Sequence, residues 1–186
     1  MRTLIVSELI TLDGVIEAPG AEAPHPNSGW TVPYGTDETY AHRLQEAQDA
    51  GSLLLGRRTY DELAAAWPDA EPGPFAEAMN ALPKDVVTTG EGALTWNATA
   101  LTGDAEDAVR ALKDGDGGPI LVVGSATLVR MLLARRLVDE LRLMVFPVAV
   151  GGGLRCWPVD RGLTSLELVD LVRCSSGVTL QTFRPA

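Results

Sequence analysis

Short apolar runs that end in glycine, each followed at once by a stretch with helical spacing, set the pattern of this chain. Ile120 to Val123 is continuous and apolar, which predicts a strand buried on both faces. Gly124-Ser125 breaks the run, and Ala126 to Leu133 resumes with helical periodicity. Leu53 to Leu55 repeats the arrangement. Gly56 ends that run, and Arg57-Arg58-Thr59 opens a helix around Tyr60 to Ala66.

The remaining elements follow the same alternation. Thr3 to Leu12 reads as a first strand closed by Asp13-Gly14, and Glu17 to Pro33 as a Pro/Gly-rich loop. Asp37 to Ala50 reads as a helix with Thr36 as N-cap and Gly51 as stop. A short helix is expected over Phe75 to Ala81, a third strand over Asp85 to Thr89 and an edge strand over Leu94 to Thr99. Ala105 to Lys113 is expected to be helical behind Asp104. The C-terminal part changes character: Asp139 to Val150 reads as a long strand, and Leu166 to Arg173 with Val178 to Arg184 as a hairpin across Ser175-Ser176-Gly177. Gly151-Gly152-Gly153 has no helix after it, so it reads as a bulge or a tight backbone approach. The sum is one α/β domain over residues 1 to 186. Its sheet is parallel through the middle and antiparallel at the C-terminal edge, with helices on both faces.

A strand that ends in glycine and opens into a helix presents unpaired N–H groups and the positive end of a dipole, which suit an anion and above all phosphate. Ser125 serves equally well as a simple N-cap in ordinary turn chemistry. Arg57 and Arg58 suit bidentate phosphate recognition, or form a solvated basic pair. Their placement at a strand's carboxyl end, where open α/β sheets bind ligands, favours the phosphate reading.

Charge sharpens this. With 25 acidic against 15 basic residues the net charge is −10, and the isoelectric point lies near 4.6. That argues against nucleic acid as a partner and makes a local pair of arginines more notable. Cys156 and Cys174 form no CxxC pair, and a reducing cytosol with structural thiols is the expectation. His25 and His42 make no ligand-spaced cluster, so no metal is expected. No apolar run approaches a membrane span and no signal peptide is read, so the protein is expected to be cytoplasmic.

Five motifs together carry a family likeness: VSELITLDGVIEAPG, LLLGRRTYDEL, KDVVTTG, ILVVGSATLVRMLL and VDELRLMVFPVAVGGGLRCWP. Spread over nearly the whole chain, they make it resemble the dihydrofolate reductase-like superfamily. The likeness is greatest to bacterial proteins that share the reductase domain of bifunctional riboflavin-biosynthesis enzymes. The resemblance implies an NADPH-dependent reductase fold and a homodimer. It assigns Gly56, Arg57, Arg58 and Thr59 to the adenosine 2′-phosphate and pyrophosphate. Thr88, Thr89 and Gly90 fall beside the adenosine. Gly124, Ser125, Ala126, Thr127 and Leu128 match the pyrophosphate turn, where dihydrofolate reductases carry a Gly-Gly pair. Ser7 and Ile16 match positions beside the nicotinamide.

The substrate side departs from dihydrofolate reductase, whose first helix carries an acid that binds the pterin. Counting back from Gly56 leads to Tyr40, with Asp37 and Glu38 one turn away. These two either serve after a register shift or only complement the helix dipole. Trp30 either stacks on a flat substrate ring or packs on the sheet. Arg155 is the nearest candidate for a substrate phosphate. The expected function is hydride transfer from NADPH to a small pterin- or pyrimidine-like heterocycle, of 5-amino-6-(5-phosphoribosylamino)uracil reductase-like type. The alternatives are a folate-type reductase, or a non-catalytic binding protein that keeps the cleft. The missing helix carboxylate favours the last. The C-terminal strands are rich in Leu, Val and Phe, so a dimer is expected to bury that edge with Leu143, Val145 and Phe146.

Overall fold

Among the described residues, eight strands form one sheet in the order β4-β3-β2-β5-β1-β6-β8-β7. The computed structural model describes residues 1–20, 26–90, 92–157 and 163–186. The strands are β1 (Leu4–Thr11), β2 (Ser52–Gly56), β3 (Lys84–Val87), β4 (Ala98–Leu101), β5 (Ile120–Val123), β6 (Glu140–Phe146), β7 (Leu166–Arg173) and β8 (Thr179–Pro185). The helices are α1 (Asp37–Asp49), α2 (Arg57–Ala66), α3 (Pro74–Ala81), α4 (Ala105–Asp114) and α5 (Ala126–Ala134), with a 3-10 turn at Val32–Tyr34. Pairing is parallel from β4 through β6 and antiparallel between β6, β8 and β7.

The unbroken apolar runs are the fully covered strands, as buried parallel strands must be. One side of Leu53, Leu55, Val86 and Leu121 packs against Ala47 of α1, Tyr60 of α2 and Met79 of α3. The other side, with Leu4, Val6, Leu54 and Val122, packs against Val109 of α4 and Leu128, Val129 and Leu132 of α5. Asp104 caps α4 by accepting from the amides of Glu106 and Asp107.

β1 and β5 run together only as far as Ser7 and Val123, whereas β1 continues beside β6 to Thr11 and Phe146. Beyond Val123 the chain leaves for α5 on one face; after β1 it goes to α1 on the other. The sheet is thus open between β5 and β1 at their carboxyl ends, the point where α/β sheets hold ligands.

Four local expectations change. The edge strand is Ala98–Leu101, because Trp96 and Asn97 take left-handed backbone angles (φ 51° and 54°) and Tyr60 Oη accepts the Thr95 amide at 2.7 Å. β6 stops at Phe146, since Pro147 has no N–H to continue a ladder. Ser125 is left-handed (φ 66°) and its hydroxyl makes no cap bond to α5. Around Gly151 and Gly152 a Cβ would meet nothing within 4 Å, so these glycines mark an open turn and no tight approach.

Candidate active site

Two hollows lie over the carboxyl ends of the parallel strands. The inner cleft, about 470 Å³, is floored by Ser7, Glu8 and Val123 and walled by α1, α2 and the start of α5. The outer one, about 600 Å³, lies between Arg57 and the Thr88–Gly90 segment after β3.

The start of α5 forms the cleft's electropositive edge. Gly124 (φ 76°) and Ser125 (φ 66°) are both left-handed, and the amides that follow have no carbonyl within the helix to pair with. Gly124 has a steric reason as well: a Cβ there would stand 3.2 Å from Thr59 Cγ2. At Gly56 a Cβ would come within 2.9 Å of Ser125 Cβ, so this glycine lets β2 approach the turn closely. Gly124, Ser125, Ala126, Thr127, Thr59, Ser7 and Ile16 all line the inner cleft. Leu128 does not; it is buried in the core.

The two arginines part company. Arg57 faces the outer hollow with Thr88, Thr89 and Gly90. Its Nε donates to Asp61 at 2.9 Å and an Nη to the Gly92 carbonyl at 3.3 Å. Arg58 borders the inner cleft and donates to Glu62 Oε1 at 3.0 Å. Each guanidinium is held by an acid one turn on, which orients it while leaving other N–H groups open.

Two buried carboxylates escaped the reading of the sequence, and so did Arg43 of α1, which lines the cleft with them. Glu8 is only 4% exposed, and its Oε1 accepts the Gly124 amide at 3.0 Å. Burial pushes its pKa up to about 8 against the weaker pull of that amide and of Arg43. Glu46, on α1, is 6% exposed. It accepts from Ser7 Oγ at 2.8 Å and faces Arg142 at 3.4 Å and His42 at 3.6 Å. Where the count from Gly56 leads to Tyr40, the carboxylate of α1 that lines the cleft is Glu46, ten positions before Gly56. Its sequence signal was faint, because α1 is polar on nearly every side.

The other substrate-side expectations lie elsewhere. Asp37 sits in the first turn of α1, and Glu38 accepts the amide and hydroxyl of Ser175. Those bonds hold the Glu38 carboxyl below its ordinary range. Tyr40 packs edge-on to Phe75. None of the three lines either hollow. The Trp30 ring is buried edge-on against Phe146 at 5.2 Å and donates Nε1 to the Glu17 carbonyl, so it packs on the sheet and does not line the cleft. Arg155 stands 3.8 Å from Asp13, outside the cleft lining. His25 lies outside the described residues.

Asp13 and Glu17 pin the cleft's mouth. Asp13 accepts from Thr11 Oγ1 and from the amides of Val150 and Gly151, and these bonds, led by Thr11, lower its pKa. Glu17 accepts the Leu154 amide at 2.8 Å. Cys156 and Cys174 are free and buried; burial pushes the Cys156 thiol up to about 12, which keeps it neutral.

The sheet, open at a strand-order reversal with a glycine-led helix start over the gap, has the fold of dihydrofolate reductase-like α/β domains. The chain belongs to the RibD C-terminal domain family, whose model matches residues 2–180. It is 26% identical over 182 residues to the uncharacterized protein YyaP of Bacillus subtilis (strain 168), covering 95% of this chain and 92% of that one. Among solved structures, it is similar to a Thermotoga maritima diaminohydroxyphosphoribosylaminopyrimidine deaminase/5-amino-6-(5-phosphoribosylamino)uracil reductase (TM-score 0.69, 17% identity). That match takes in 100% of this chain and 57% of the other. It is also similar to Enterococcus faecalis dihydrofolate reductase complexed with NADP(H) and RAB-propyl (TM-score 0.64, 15% identity, 98% and 96% covered). Family and fold support a reductase. Among the described residues no helix is long and apolar enough to cross a membrane.

Proposed function

We propose that this protein is an NADPH-dependent reductase that passes hydride to a small pterin- or pyrimidine-like heterocycle. Reduction of a ribosylamino-pyrimidine in riboflavin biosynthesis is the nearest named counterpart. The observation that carries the reading is the left-handed Gly124-Ser125 pair that opens α5 directly over the β5–β1 gap. A dinucleotide's pyrophosphate fits there, on the amides of Ser125, Ala126 and Thr127. Gly56 and Thr59 shape that turn from β2 and α2. Arg57, with Thr88, Thr89 and Gly90, takes the adenosine end and its 2′-phosphate; Arg58 borders the inner cleft and is available to the pyrophosphate. Ser7 and Ile16 flank the nicotinamide. The relatives' printed names, a reductase and an enzyme complexed with NADP(H), support the same assignment.

When bound, NADPH supplies the hydride. The chain's own work is to hold ring against ring and to exclude water. Ile16 and Leu9 give the cleft apolar walls. Glu46 and Arg43 offer an acceptor and a donor from α1 to the heteroatoms of a flat substrate ring. Glu46 supports the catalytic reading over a non-catalytic binding protein, because it brings a helix carboxylate to the cleft.

We also propose a cytoplasmic homodimer. Leu143 and Phe146 are buried within the chain and Val145 partly so, while Leu168, Leu171 and Val172 of β7 are about half exposed. β7 would therefore supply the dimer surface, and light scattering should give twice 19.7 kDa. The function is tested by following NADPH oxidation with ribosylamino-pyrimidines and dihydropterins. Turnover with a member of the panel is expected; binding of NADPH without oxidation of any would overturn the enzymatic reading.

A further inference from the structure

Glu8 stands at the floor of the inner cleft on the α5 side of β1, where its neighbours Leu4, Val6 and Ile10 are core. Glu8 is the polar position on an otherwise apolar face of β1. It forms no ion pair among the described residues, and its one hydrogen bond there goes from the Gly124 amide to Oε1. Oε2 has no partner among those residues and is not one of the sealed-off, unsatisfied atoms. Glu8 lines the cleft, so Oε2 opens into it. An open carboxyl oxygen whose twin is fixed by a backbone amide is placed to hydrogen-bond a molecule that enters the cleft.

We propose that Glu8 is a ligand-binding residue that acts as a neutral carboxylic acid: Oε1 is pinned by Gly124, and the proton on Oε2 is donated to an oxygen of the dinucleotide. This rests on the cofactor reading above and adds a residue to it. The acceptor is an oxygen beside the Gly124 turn, either on the pyrophosphate or on the nicotinamide carboxamide. A hydrogen bond from a neutral acid to a phosphate oxygen is charge-assisted. An ionised Glu8 in the same place would repel that phosphate.

The surroundings keep the proton in place. Burial raises the Glu8 pKa to about 8. The charged group that bears on it is Arg43 from α1, while Arg130 of α5 bears on the neighbouring Cys156. Glu46 and Glu17 line the same cleft. Cys156, at about 12, is neutral over the relevant range. Lys84 also titrates near 8, but it sits under α3 against Trp96 and is unchanged in a Glu8 variant.

The test is cofactor affinity from about pH 7 to about pH 9.5 for wild type, Glu8→Gln and Glu8→Leu, with NADPH and with 2′-phospho-ADP-ribose, which lacks the nicotinamide. Glutamine keeps both the acceptor and the donor without titrating. At about pH 7, Glu8→Gln should bind within about threefold of wild type and Glu8→Leu about tenfold more weakly. At about pH 9 wild type should have lost about tenfold and Glu8→Gln almost nothing. Loss with both ligands assigns the acceptor to the pyrophosphate; loss with NADPH alone assigns it to the carboxamide. Parallel pH profiles for wild type and Glu8→Gln would overturn the proposal while leaving cofactor binding intact. No binding by any variant at about pH 7 would overturn the cofactor reading and this proposal with it.

Discussion

The two flanks of the cleft each bury a glutamate, and they compensate it in opposite ways. On the α5 flank Glu8 receives one backbone amide and, among the described residues, no cation in contact, and burial raises its pKa to about 8. On the α1 flank Glu46 receives the Ser7 hydroxyl, the Arg142 guanidinium and the His42 ring. A carboxyl in a low-dielectric site must be paired or neutralised. This fold does one on each side of β1, and so places an acid donor and a paired acceptor within one hollow.

The largest effect should come from the turn that the α5 flank is built on. Gly124→Val puts a β-branched residue at φ 76° and against Thr59 Cγ2, 3.2 Å from the new Cβ. NADPH affinity should fall by about a hundredfold or more while circular dichroism shows a folded chain. A folded Gly124→Val variant with unchanged affinity would reduce the turn to a structural feature.

Next comes the pH dependence of stability. The folded pKa of Glu8 is raised above its ordinary value of 4.5 to about 8, so the native state holds a proton that the unfolded chain releases. The stability linked to that proton is complete below about pH 4.5 and is lost as pH rises to about 8, on the order of several kcal/mol. Urea unfolding of wild type against Glu8→Gln across this window should show the difference growing with pH. A constant difference would mean that Glu8 is ionised in the folded protein.

On the other flank the effect should be smaller and of a different kind. Arg142→Met leaves Glu46 buried without its strongest cation and should cost about 2 kcal/mol of stability. The loss should be partly restored by adding Glu46→Gln, because the amide needs no counter-charge. If the double variant is no more stable than Arg142→Met, the pair is not coupled.

The parallel half of the fold was legible because its strands are unbroken apolar runs and its stops are glycines, as at Gly56 and Gly124. The capping of α4 by Asp104 was legible for the same reason: its signal is local. What was not legible depends on distant partners. Glu46 acquires meaning from Ser7, 39 positions away, and from Arg142, 96 away. Glu8 reads in sequence as a polar break in a strand; only the divergence of β5 from β1 turns it into a cleft residue. Trp30 misled for the converse reason. A loop aromatic near a cleft and one that seals a core have the same sequence, and Phe146 decides between them.

The central claim is that the cleft is built for NADPH. It is tested most directly by titrating NADPH and NADH against wild type and Arg57→Ala, following nicotinamide fluorescence. Wild type should bind NADPH at least about tenfold more tightly than NADH, and Arg57→Ala should remove most of that preference, because the guanidinium contributes roughly 1.5–3 kcal/mol to the extra phosphate. Equal affinity of the wild-type protein for the two cofactors would contradict it.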